Sequence, residues 1–226
     1  YLILKMFIRK IIKLPTSDFG MPKFEIKIRW ILIAILLPCI IKGIYVLIFN
    51  GEYVSSNMNG NEIFNTLSAG VAFTGIAAGF VEEMVFRGVI LNALKKRWNM
   101  KVAVIVPSML FGIVHVLGQD FSIGSCLLVI IAGTMVGVMF SMIAIESGSV
   151  WNSGIVHAIW NIVSIGGGLA IGEKMNPYSV MTYVLDSKVF AITGGEFGIE
   201  SSVISLIGYI IVAGIAFIMI KSNRKN

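Results

Sequence analysis

A chain of 226 residues, 57% of them apolar and only 13% charged, with a mean hydropathy of +0.89, does not have the composition of a soluble globular domain. The net charge of +6 does not point to nucleic acid, because the basic residues sit in short loops beside apolar stretches, where topology and anionic headgroups account for them. Cys39 and Cys126 fall inside apolar stretches, where a thiol behaves as a small hydrophobe, so no disulfide framework is implied.

In chain order, residues 1–14 place Lys5, Arg9 and Lys13 four apart, with Leu4, Phe7, Ile8, Ile11 and Ile12 on other faces. That pattern predicts an interfacial helix. Residues 1–29 are read as a basic amphipathic segment on the membrane surface, and 30–226 as one membrane domain. A bilayer core of about 30 Å needs roughly 20 apolar residues per helix. Such stretches predict spans at 30–49, 63–94, 102–118, 124–145, 150–171 and 201–220. The expected fold is therefore all-α, a polytopic transmembrane helix bundle with about six spans.

Charge gives an independent reading, since Lys and Arg near span ends collect on the cytoplasmic side. The basic residues of 5–29, 95–101 and 221–225 fall on one side of this arrangement. Lys174 and Lys188 fall on the other, together with Glu52, Glu62, Asp120, Glu173, Asp186, Glu196 and Glu200. Both termini are expected in the cytoplasm. The segment 172–200, with Pro177 and Gly194-Gly195, is open to reading as a loop, a re-entrant stretch or a partly folded cap.

Small residues four apart, Gly75 with Gly79 and Gly133 with Gly137, predict close helix–helix approach in lipid. Against this apolar background the ionisable groups need a reason, because each costs several kcal/mol in a bilayer, at least about 2.5–3.5. Glu82, Glu83 and Arg87 lie in one predicted span, Phe111 and His115 in the next, and His157 and Asn161 in the fifth. Lys42, alone in the first span, is expected to snorkel to the outer interface. Residues four apart share a helix face, so Glu83 pairs with Arg87 while Glu82 points about 100° away and stays free for chemistry. Counted at about 1.5 Å per residue from the span ends, Glu82, His115, His157 and Asn161 fall at similar depths.

An apolar cavity disfavours an ionised carboxylate and suits it to general-base work near neutral pH. Glu82 is then fitted to deprotonate a water that His115 orients, and His157 with Asn161 to stabilise the oxyanion formed at a peptide carbonyl. The alternative takes Glu82, His115 and His157 as Zn²⁺ ligands with one position open for water. Asn161 is a poor zinc ligand, which favours the metal-free reading. Intramembrane Glu and His also build proton relays in carriers. The chain shows no internal repeat of the kind that marks many of them.

Glu-Glu-x-x-x-Arg at 82–87, Phe-x-x-x-His at 111–115 and His-x-x-x-Asn at 157–161, in this order on membrane helices, resemble the three motifs of the CPBP family of CAAX proteases and bacteriocin-processing or Abi proteins. The resemblance implies an intramembrane endopeptidase with Glu82 as catalytic base, His115 as its water-activating partner and His157 with Asn161 as oxyanion ligands. Glu83, Arg87 and Phe111 are then supporting residues. Members have been described both as metalloproteases and as glutamate-dependent proteases, so the metal question stays open at this point. Abi-type relatives point to a membrane-associated peptide or protein as substrate, with a non-proteolytic bacteriocin-immunity or membrane regulatory protein that keeps the fold as the alternative. The Ile, Lys and Asn bias suggests a bacterial plasma membrane as the location.

Overall fold

The computed structural model describes residues 6, 10 and 15–223. The helix expected over 1–14 lies, apart from Met6 and Lys10, outside the described residues. Helix α1 covers Ile28–Ile48, and strand β1, Gly51–Ser55, follows. A long helix α2, Gly60–Arg97, starts at an Asn59 cap whose side chain accepts from the amides of Asn61 and Glu62, while the Asn59 amide donates to the Glu62 carboxylate. Then come α3, Met100–Val114, α4, Ile123–Ser147, and α5, Val150–Ile165. Strands β2, Leu169–Gly172, and β3, Met181–Leu185, precede the short α6, Phe190–Thr193, a 3₁₀ turn at Ile199–Ser201, and α7, Val203–Asn223.

Helices α1, α2, α4 and α7 are long and apolar enough to cross a membrane. Their outward faces carry Leu32, Ile35, Leu36 and Ile40 on α1 and Ile207, Ile210, Ile211 and Ile218 on α7, all exposed. Such a surface belongs in lipid. The six expected spans all coincide with helices, but the two that carry the histidines are short. Helix α3 has 15 residues and ends at His115. Helix α5 has 16 and ends at Gly166, where Gly167 takes a positive φ of 84° and turns the chain into β2. The predicted span 150–171 was too long because an apolar run does not by itself distinguish helix from strand.

The segment 172–200 is a folded cap, not a bare loop. Strands pair in the order β1-β3-β2, with β3 antiparallel to β1 and parallel to β2. The expectation of an all-α fold holds for the bundle and fails for this small sheet. At the opposite face of the bundle, Arg29 Nη2 meets Glu146 Oε1 at 2.5 Å, and Asn223 Nδ2 lies 3.4 Å from the same oxygen. These contacts join the ends of α1, α4 and α7. Residues 15–27 fold back on that face: Phe19 and Met21 are buried beside Met84, Val150 and Trp151, and Trp151 Nε1 donates to the Pro22 carbonyl at 2.9 Å.

Lys42 does not snorkel. Its side chain is buried, and its ammonium donates to the carbonyls of Val163 and Leu169. A cation here satisfies a carbonyl at the C-terminal end of α5, where the helix dipole favours positive charge. Lys42 thus ties α1 to the end of the helix that carries His157 and Asn161.

Glycines set the helix spacing around the site. A Cβ on Gly79 would lie 2.8 Å from the Ala158 Cα on α5, and one on Gly133 would lie 2.6 Å from the Gly112 Cα on α3. Backbone stands against backbone at both points, so neither neighbour can rotate away. Gly79→Val is expected to destabilise the protein by about 1–3 kcal/mol by forcing α2 and α5 apart. A lowered thermal midpoint in detergent would show it, and an unchanged midpoint would count against the close approach.

Candidate active site

The site begins on α2, where two wide π-helical segments, Gly70–Ala77 and Met84–Ile90, flank the short stretch that carries Glu82 and Glu83. Such turns are uncommon and gather at functional positions. The expected i,i+4 pair forms: Arg87 Nη1 lies 2.8 Å from Glu83 Oε1, with both side chains fully buried. Arg87 Nη2 donates to the Gly137 carbonyl on α4 at 3.0 Å. The guanidinium carbon sits 4.6 Å from the Phe111 ring centre and 5.3 Å from that of Phe140. Two aromatic faces and two oxygens thus surround a cation far from water.

From Glu83 the network reaches α5. His157, also buried, places Nδ1 3.2 Å from Glu83 Oε1 and Nε2 3.8 Å from Glu82 Oε2. The ring stacks on Phe140 at 4.5 Å with planes 17° apart, and Phe111 approaches it edge-on at 5.8 Å. The carboxylate at Nδ1 fixes that nitrogen as a donor, so a neutral His157 turns an acceptor towards Glu82. Two acceptors facing each other need a proton or a water between them. Glu82 Oε2 is enclosed and has no hydrogen-bond partner.

Asn161, one turn beyond His157, donates from Nδ2 to the Thr74 carbonyl at 2.9 Å. That carbonyl lies within the first π segment. His115 sits at the C-terminal cap of α3, with Nδ1 2.6 Å from the Phe111 carbonyl and its ring 4.6 Å from that of Phe111. Its Nε2 is thereby left as an acceptor when the ring is neutral.

Glu82, His115, His157 and Asn161 all line one cavity of about 190 Å³, as does Phe111. Glu83 and Arg87 lie behind it. The sequence places His157 and Asn161 in one layer with Glu82 but does not foresee the contact with Glu83; the structure sets His157 between the two carboxylates. It also missed Phe140 and the Gly137 and Thr74 carbonyls. An aromatic among apolar residues and a main-chain oxygen leave no mark in sequence. Gly137 did carry a signal, its spacing from Gly133.

For the zinc alternative, three ligands must converge. Among the described residues, no group of three His, Cys, Asp or Glu is placed to hold a metal ion. Both nitrogens of His157 are already directed at carboxylates.

Residues 64–163, which enclose all three motifs, match a family described as Rce1-like, type II CAAX prenyl endopeptidase. No curated protein and no solved structure matches the chain.

Proposed function

On the premise that residues 64–163 belong to the Rce1-like family, we propose that this integral membrane protein hydrolyses a peptide bond of a membrane-associated peptide or protein with a water activated by Glu82. The supporting observation is the enclosed, unpartnered Glu82 Oε2 facing His157 Nε2 across 3.8 Å. A water seated there gives its proton to Glu82 as it attacks the carbonyl carbon, and His115 orients it from across the cavity. The carbonyl oxygen becomes an oxyanion. Asn161 retains a second N–H for it, and when Glu82 hands the proton on to the facing His157 Nε2, that nitrogen becomes a second donor while Glu83 balances the imidazolium charge. The proton then passes to the leaving amine, and no side chain is acylated.

Glu83 and Arg87 position the site without touching substrate. Phe111 and Phe140 exclude water from behind and hold the imidazole plane. Purified protein in liposomes is expected to cleave a hydrophobic peptide library, with the same rate after chelator treatment. Glu82→Gln is expected to stop cleavage. Cleavage by folded Glu82→Gln at the wild-type rate would refute the assignment, and activity lost on chelation and restored by Zn²⁺ would replace the mechanism with the metal one.

A further inference from the structure

A second cavity, of about 640 Å³, lies on the sheet side of the bundle. Ile165, Phe197 and Glu200 line both cavities, so the two share a wall built from the end of α5 and the segment leading into α7. Size makes this neighbour necessary. Ligand pockets run from roughly 300 to 1,000 Å³, and about 190 Å³ holds a reacting bond and little more. A peptide bound among Glu82, His115 and His157 must continue elsewhere.

The larger cavity has the chemistry for a polar continuation. Its walls include Asn176, Ser179, Glu173, Glu196 and Glu200, against the single cation Lys174. The Ser122 amide, donating to Glu196 at 2.8 Å, holds that carboxyl below its usual range. Glu200 sits deep at the shared wall, where burial pushes its carboxyl up to about 7 and its own amide and Lys42 pull the other way. With Glu200 only partly ionised, Glu173 and Glu196 still outnumber Lys174, and the lining favours a polar ligand of net positive charge over an acidic one.

We propose that the sheet-side cavity is the subsite that receives the polar, positively charged flank of the peptide whose scissile bond lies in the smaller cavity. This rests on the proteolytic reading and adds to it a substrate class: a hydrophobic segment followed by a cationic flank, inserted beneath the sheet. The flank passes Phe197 and Glu200, which makes these two residues its selectivity point.

The test uses the full chain in nanodiscs, carrying Glu82→Gln so that the probe is not cut. The probe is a synthetic 20-residue Leu-Ala helix with a benzophenone and a Lys-Ser flank, set against the same helix with a Glu-Ser flank. Crosslinks to 173–179 and 196–200 are expected at least fivefold more often with the Lys-Ser flank. A bulky, membrane-impermeant maleimide on Tyr178→Cys, an 81% exposed position lining this cavity, is expected to remove them, in a background with Cys39 and Cys126 replaced by Ala. Crosslinks confined to the lipid-facing surfaces of α1 and α7, or indifferent to flank charge, overturn the subsite. Cleavage of the same probes with Glu82 intact is scored separately. Cavity crosslinks without cleavage leave the subsite standing and count against the protease, whereas cleavage without cavity crosslinks does the reverse.

Discussion

Arg87→Met is expected to destabilise the protein by about 3–5 kcal/mol, because it leaves the fully buried Glu83 carboxylate without its counter-charge. Domains are stable by only about 5–15 kcal/mol, so much of the variant should unfold under conditions the parent survives. The loss is not one contact. Arg87 joins α2 to the Gly137 carbonyl on α4 and fills the space between Phe111 of α3 and Phe140 of α4. Methionine replaces the volume and none of the charge. Replacing both partners, with Glu83→Gln and Arg87→Met together, is expected to recover part of the loss, since the isolated charge goes with its partner. Unfolding in mixed micelles measures both. A single variant within about 0.5 kcal/mol of the parent would show that the pair is not the keystone of the bundle.

Glu82→Gln, by contrast, is expected to leave stability near the parent value and lower cleavage by about 10²–10⁴-fold. The side chain is 34% exposed, and the buried ion pair of Arg87 is made with Glu83. Glutamine keeps its shape and cannot accept the proton. Residues that act as a unit lose their effect together. Adding His157→Ala to Glu82→Gln should therefore cost far less than it does in the parent. Equal losses in both backgrounds would mean that the two residues serve separate steps, and a double-variant cycle on the cleavage rate distinguishes these outcomes.

Much of this arrangement was legible because a membrane makes polar residues conspicuous. Every chemically distinctive side chain of the site was visible as an exception to apolar helices, and the Glu83–Arg87 pair followed from helical spacing alone. Its relation to His157 did not. Spacing of 3.6 residues per turn does not hold throughout, because α2 widens to π geometry on both sides of Glu82 and Glu83, which alters how carboxylates and imidazole face each other. Lys42 was misread for a related reason. A long basic side chain near a span end normally reaches for water, and only the tertiary fold shows that carbonyls at the end of α5 meet it first. The sheet was hidden because Leu169–Gly172 continues an apolar run and pairs with Met181–Leu185 across a loop, a non-local contact that no local pattern encodes.

The helices bearing His115 and His157 have 15 and 16 residues, roughly 22–24 Å of rise, against a hydrocarbon thickness of about 30 Å. The His157 helix is enclosed by its neighbours, but α3 turns Ile105, Met109, Leu110 and Ile113 outwards, and lipid beside that face would have to compress, or headgroups sink to meet the helix end. On the proposed reading, either adjustment would bring the aqueous phase down towards His115 and Glu82 instead of carrying water up to the bilayer midplane. Hydrolysis would then take place in a dimple of the membrane that the protein itself imposes, and acyl-chain length would act on the reaction as a physical variable in its own right.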